Sequence, residues 1–215
     1  MTEVHGPDIT LQLQSEVQEL KTDFAGIFSS DEIEQCVRDS LDALTAAQPG
    51  VTAFLPALVH RFARERLRAR AYAQGKMARK HAGVLFVCVQ NAGRSQMAAV
   101  LTEHLSNGQV MVRSAGSAPA GEVDQRVAQV MEELGLDISD AFPKPLTDEF
   151  VHAADVVVTM GCGDSCPVFP GKRYVDWDVD DPSGQPIEAV RLIRDDISRR
   201  VSKLLSNLGV TPRPS

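Results

Sequence analysis

The chain has 215 residues, 43% of them hydrophobic, 24% charged and 5% aromatic, enough to fill one full core and a second, smaller one. Its formal net charge of −7 disfavours a general affinity for nucleic acid or an anionic membrane, so any anion it binds has to be held locally. No cationic leader with an apolar stretch and no apolar run of about 18 residues is present. We therefore expect a cytoplasmic protein whose four cysteines, Cys36, Cys88, Cys162 and Cys166, form no structural disulfide framework.

Residues 1–81 hold no convincing strand. Leu13, Val17, Leu20, Phe24 and Ile27 recur at spacings of four and three, which is one helix face. A second helix opens with Ser29 and Glu32 in capping-box spacing, carries Ile33, Cys36, Val37, Leu41 and Leu44 on one stripe, and stops at Pro49-Gly50. A third places Phe54, Leu58 and Phe62 on one face, with Arg61, Arg64, Arg66, Arg68 and Arg70 spread around it. The expectation is a three-helix bundle domain over 1–81. It carries 10 basic and 11 acidic side chains, so the arginines read as a solvated, salt-bridged helix rather than a nucleic-acid surface. Because so thin a bundle gains from a partner, it is expected to mediate self-association as a homodimer or to dock on the domain that follows it.

From residue 82 strand-like and helix-like segments alternate. Residues 84–87 form a strand, 95–105 a helix ended by Asn107-Gly108, 110–114 a strand, and 124–134 a helix ended by Gly135. Thr147 then caps a short helix before the strand 156–160, "KRYVDWDV" reads as a last strand, and 186–208 closes the chain as a long helix. This α/β alternation over 82–215 implies a parallel sheet with helices on both faces. Such sheets bind ligands at the carboxyl ends of their strands, where Cys88 falls.

Cys88-Val89-Gln90-Asn91-Ala92-Gly93-Arg94-Ser95 joins that first strand to the helix after it. Five residues suffice to curl the backbone so that the amides of Gln90, Asn91, Ala92 and Gly93 point inward, with Gly93 free to take a positive φ and Asn91 suited to it. The result is an oxyanion cradle at a helix start. Arg94 would fold its planar fork over the anion, and with the Ser95 hydroxyl and the helix dipole would favour the thiolate of Cys88, a nucleophile aimed at the central atom. The other reading of Cys88 is a buried cysteine at a strand end. The Gly-Lys-Ser/Thr pattern of nucleoside triphosphate sites is absent.

On these residues, 83 to about 208 resemble the low-molecular-weight tyrosine phosphatase superfamily. "NAGRSQMA" resembles its arsenate reductase branch, where Gln96 replaces the proline usual in the phosphatases. The resemblance implies a four-stranded parallel sheet flanked by helices and, with no bound cofactor, reduction of arsenate to arsenite in arsenic detoxification.

"VTMGCGDSCPVFPG" places three residues between Cys162 and Cys166; one helical turn there would bring them within disulfide reach. A metal half-site and two unrelated buried thiols are the other readings. A closed zinc site takes four ligands, and the five histidines are scattered, so no metal is expected. The resemblance implies a relay: Cys88 attacks arsenate, Cys162 attacks Cys88 and releases arsenite, Cys166 attacks Cys162, and thioredoxin reduces the resulting disulfide. The Gly-Cys-Gly-Asp-x-Cys-Pro form resembles actinobacterial members, some of which use mycothiol, so a mycothiol/mycoredoxin donor is the alternative. In "DWDVDDPSGQP" the Asp181-Pro182 pair matches the superfamily's general acid, and Asp181 also reads as a turn former before proline. Ser183 and Gly184 follow where phosphatases commonly carry aromatic residues, against phosphotyrosine as substrate. A phosphatase and a non-enzymatic oxyanion or redox sensor are the rival functions.

Overall fold

The computed structural model describes residues 7–47, 54–161 and 168–213. The chain divides into two compact units, Met1–Ala78 and Arg79–Ser215. No helix among the described residues is long and apolar enough to cross a membrane.

The first unit is three helices, α1 (Pro7–Asp23), α2 (Ser30–Ala47) and α3 (Leu55–Ala73). The capping box forms as spaced: the Ser29 amide donates to Glu32 Oε2 at 2.8 Å, and the Glu32 amide to Ser29 Oγ at 3.2 Å. The Ser29 bonds, backbone first, hold the Glu32 carboxyl below its ordinary value. A depressed carboxyl stabilises the fold above its ordinary titration range, and this contribution fades as pH falls through the lowered value. Ser29→Ala removes the reciprocal cap and is expected to cost about 1 kcal/mol, read from the urea midpoint of unfolding.

Ile33, Cys36, Val37 and Leu44 are buried along α2, facing a core with Leu20, Phe24, Val59, Phe62 and Leu67. Phe24 and Ile27 fall beyond the end of α1, where the turn carries Gly26 at φ 77°. The expected face of α3 is shifted. Phe54 is 82% exposed and precedes the helix at φ 63°; the buried stripe is Leu55, Val59, Phe62, Ala63 and Leu67. Pro56 in the first turn, with its fixed φ, sets the helix start after Phe54. Arg64 pairs with Glu19 and Asp23, Arg70 with Glu32, and Arg66 donates to Ser40 Oγ on α2 at 3.1 Å, so these arginines tie helices together. The stop at Pro49-Gly50 lies outside the described residues.

The second unit is an α/β domain whose four strands are β1 (Ala82–Cys88), β2 (Val110–Gly116), β3 (Val156–Met160) and β4 (Arg173–Asp176), with α4 (Arg94–Ser106), α5 (Gln125–Glu132), α6 (Asp148–Ala153) and α7 (Ile187–Asn207). The sheet runs in the order β2-β1-β3-β4 with every pair parallel, the expected four-stranded parallel sheet. β1 is central, so Val84 to Cys88 are buried, as a run of apolar residues covered on both faces should be. Asn107 at φ 52° and Gly108 at φ 72° end α4, and the Asp124 carboxylate caps α5 through the Arg126 amide.

Thr147 takes the N-cap place of α6, but its hydroxyl makes no capping bond. The last strand is also shorter than its sequence pattern. After Asp176 only the Trp177 amide still bonds to β3, at Thr159 O. The chain then crosses the carboxyl ends of the strands with Trp177, Val179 and Pro182 buried and Asp178, Asp180 and Asp181 exposed. Successive strands depart from β1 in opposite directions, β2 on one side and β3 on the other. The carboxyl end of β1 is therefore the switch point where α/β sheets form their ligand crevice.

Candidate active site

Cys88 ends β1 with Gly116 and Met160 as its partners in the neighbouring strands, and is 2% exposed. The loop after it is framed from outside. The amides of Ser117, Ala118, Ala120 and Asp124 donate to the carbonyls of Cys88, Val89, Gln90 and Ala92 at 2.9 to 3.1 Å, and the Asn91 carbonyl accepts from Gln96 Nε2 at 3.0 Å. In a trans peptide the N–H points away from the preceding C=O. Five carbonyls turned outward therefore turn the amides of Val89, Gln90, Asn91, Ala92 and Gly93 inward. The Asn91 amide reaches Cys88 Sγ itself, at 3.2 Å. Such a nest at the start of α4 favours a tetrahedral oxyanion.

Asn91 is fully buried at φ 49°, the left-handed conformation its sequence position suggested. Gly93 departs from expectation, with φ −139°. It has to be glycine for another reason: a methyl group there would lie 2.6 Å from Cγ of Pro182. The Asp181-Pro182 pair thus lies directly on the loop. Gly93→Ala forces that ring away and is expected to cost about 1–3 kcal/mol as an overpacked contact, read by denaturant unfolding.

Three side chains complete the centre. Ser95 Oγ lies 2.9 Å from Cys88 Sγ and accepts from Asn91 Nδ2 at 2.7 Å, which leaves the hydroxyl proton free to point at the sulfur and favour negative charge there. Arg94, 9% exposed, donates from Nη2 to Asp181 Oδ2 at 2.7 Å and from Nη1 to the Val179 carbonyl at 3.3 Å. Gly161, at φ 72°, lets the guanidinium pass; a methyl group there would lie 2.9 Å from Nη1. Asp181 is half-exposed, and its Oδ1 accepts from the Ser183 amide at 3.0 Å. Among the acids of that segment it is the one paired with Arg94.

An open cavity of about 390 Å³ adjoins the loop, lined by Gln90, Ala92, Gly93, Asp181 and Pro182, with Glu122, Asp124 and Arg126 on its rim. Among the described residues, no aromatic side chain lines it. Cys88, Gln90, Asn91, Ala92, Gly93, Arg94, Ser95 and Asp181 are thus brought together, while Cys162 and Cys166 lie outside the described residues. Cys36 sits far along the chain in the first unit, its Sγ 3.8 Å from the Ala63 carbonyl. Among the described residues, the grouping with the composition of a metal site is Glu16, Glu19 and His60; there His60 pairs with both glutamates.

Sequence reasoning missed the outer frame. Residues 117–123 carried no recognisable pattern, yet three of their amides, with that of Asp124, hold the loop. Gln96 served as a branch marker alone. It is 3% exposed and bonds at once to Asn91, to the Phe142 carbonyl and to Ser114.

Known proteins match both units. The family model described as low molecular weight phosphotyrosine protein phosphatase matches residues 83–212, and one described as protein-tyrosine-phosphatase-like, N-terminal domain, matches residues 13–71. A thioredoxin-dependent arsenate reductase from Corynebacterium glutamicum superposes with a TM-score of 0.84 at 42% identity, over 93% of this chain and 98% of that one. A putative arsenate reductase from Halobacterium salinarum is 40% identical over 129 residues, 58% of this chain and 91% of its own. A glutaredoxin arsenate reductase from Synechocystis is 34% identical over 59% of this chain and 98% of its own.

Proposed function

The chain belongs to the low molecular weight phosphotyrosine protein phosphatase family, and from that premise we propose that it is the arsenate reductase its relatives are named for, drawing electrons from thioredoxin. The carrying observation is the run of inward amides that follows Cys88, of which that of Asn91 reaches Sγ.

In this reading the amides and Arg94 hold arsenate against the sulfur. The Cys88 thiolate attacks arsenic, Asp181 gives a proton to the departing oxygen, and water leaves a thiol-arsenate adduct. The Cys162 thiolate then attacks Cys88 Sγ. The As–S bond breaks with its electron pair staying on arsenic, so As(V) leaves as arsenite while two thiols become one disulfide. Cys166 exchanges with it, freeing Cys88 and leaving Cys162–Cys166 for thioredoxin. Gly161, whose missing side chain accommodates Arg94, directly precedes Cys162 in the sequence.

Thioredoxin as donor is supported by the Corynebacterium relative, which is described as thioredoxin-dependent and matches both units. The cytoplasm, where thiols are kept reduced, suits the cycle. The bundle is proposed to pair two copies. A truncated chain of residues 82–215 with the same oligomeric state as the full chain would refute that pairing.

The test supplies arsenate, thioredoxin, thioredoxin reductase and NADPH, with parallel arms of mycothiol plus mycoredoxin and of an aryl phosphate. Arsenate-dependent NADPH loss with thioredoxin is expected. Activity confined to the mycothiol arm moves the donor, and hydrolysis of the aryl phosphate alone removes the reductase reading.

A further inference from the structure

Beside the loop, one buried side chain has no part in the chemistry just described. Gln96 lies on the first turn of α4, and all its polar atoms are used. Its Nε2 donates to the Asn91 carbonyl at 3.0 Å, to the Phe142 carbonyl at 3.0 Å and to Asn91 Oδ1 at 3.2 Å, and its Oε1 accepts from Ser114 Oγ at 3.3 Å. The Lys144 amide gives Asn91 Oδ1 a second donor at 3.0 Å.

These bonds have a direction. An amide side chain has one accepting end and one donating end. With its oxygen claimed by Gln96 and Lys144, Asn91 must turn its Nδ2 toward Ser95, which then has its hydroxyl proton left for Cys88 Sγ. Donors thus run in one sense from Ser114 on β2 through Gln96, Asn91 and Ser95 to the sulfur, and bonds so chained strengthen one another. The same Nε2 holds the Asn91 carbonyl outward and so keeps the Ala92 amide facing the anion. Gln96 is therefore placed to control two distinct things, the donor at the thiolate and one donor of the cradle.

We propose that Gln96 is a positioning residue of this active site, fixing the orientation of Asn91 so that Ser95 donates to the Cys88 thiolate and the Ala92 amide donates to the bound oxyanion. The proposal rests on the reading of Cys88 as the nucleophile.

The test is alkylation of Cys88 by iodoacetamide at neutral pH in the full chain, followed by peptide mass mapping, which needs neither arsenate nor an electron donor. Gln96→Met keeps the length of the side chain and removes its donors. A weakened Ser95 donor leaves less thiolate, and a fall of about threefold in the Cys88 alkylation rate is expected, since the Lys144 amide still holds Asn91 Oδ1 and the bond to the sulfur loses only the strengthening passed along the chain. A purely structural role moves the rate the other way, because a loosened loop exposes a thiol that is now 2% exposed. An unchanged or faster rate in Gln96→Met overturns the proposal. Sulfate should also protect Cys88 from alkylation only at higher concentration in the variant, as the cradle loses an aligned amide. Should Gln96→Met not fold, Ser114→Ala removes the bond that anchors Oε1 and should slow alkylation in the same sense; no slowing there overturns the proposal equally. If wild-type Cys88 alkylates readily but Cys88→Ser still reduces arsenate, the functional reading fails while the role of Gln96 stands or falls on its own rates.

Discussion

Cys88→Ser is expected to lower arsenate reduction by about 10⁴-fold or more, the scale on which a removed nucleophile is felt, while the fold and anion binding survive. Serine is slightly smaller than cysteine and fits the buried strand end, and its hydroxyl can still accept from the Asn91 amide that now reaches Sγ. The cradle is held by backbone bonds from residues 117–124, none of which involves the thiol. Sulfate binding, measured by calorimetry, should therefore persist, and removing a thiolate from beside the anion should if anything tighten it. Substantial arsenate reduction in a folded Cys88→Ser protein would place the nucleophile elsewhere.

Cys162→Ser should stop thioredoxin-driven turnover, by about 10³-fold or more, for a different reason. The first chemical step stays available, so one equivalent of arsenate can add to Cys88, but no thiol of the chain removes it. Cys166→Ser is expected to pass one step further and stall as a Cys88–Cys162 disulfide after a single release of arsenite. Mass mapping after one turnover separates the two states, an adduct in the first variant and a loss of two hydrogens across the mapped pair in the second. Mycothiol added to Cys162→Ser offers an external attacking thiol, and recovery there would identify resolution as the lost step. Thioredoxin-driven turnover that persists in both variants sinks the relay.

Much of the second unit was legible because its signals are local. An unbroken apolar run marks a central strand, Asn107-Gly108 and Gly135 mark helix ends, and the β1–α4 loop declares itself by Cys88, Asn91, Arg94 and Ser95 within eight positions. What escaped depends on residues distant in sequence. Gly93 was read as conformational freedom, yet it is needed because Pro182 arrives from almost ninety positions away. The frame of residues 117–124 works through backbone amides, which every residue type but proline supplies, so no residue type announces it. Gln96 looked like a lineage marker because three of its partners, Asn91, Phe142 and Ser114, become neighbours only in the folded chain. In the first unit the periodicity of α3 was sound, but Phe54 belongs to the turn before the helix, since Pro56 sets where the helix starts.

The outward carbonyls of the β1–α4 loop also constrain the route of the second attack. A sulfur fixed at a strand end by Asn91 and Ser95 cannot travel, so every later exchange comes to it. Displacement at sulfur is in-line: the incoming thiolate, Sγ and the departing arsenic have to be collinear. With arsenic seated in the amide ring, one approach axis remains, on the far side of Sγ from the cradle. The loop that orients the first attack thereby sets the direction of the second, and bulk placed across that axis should block resolution of the adduct without affecting its formation.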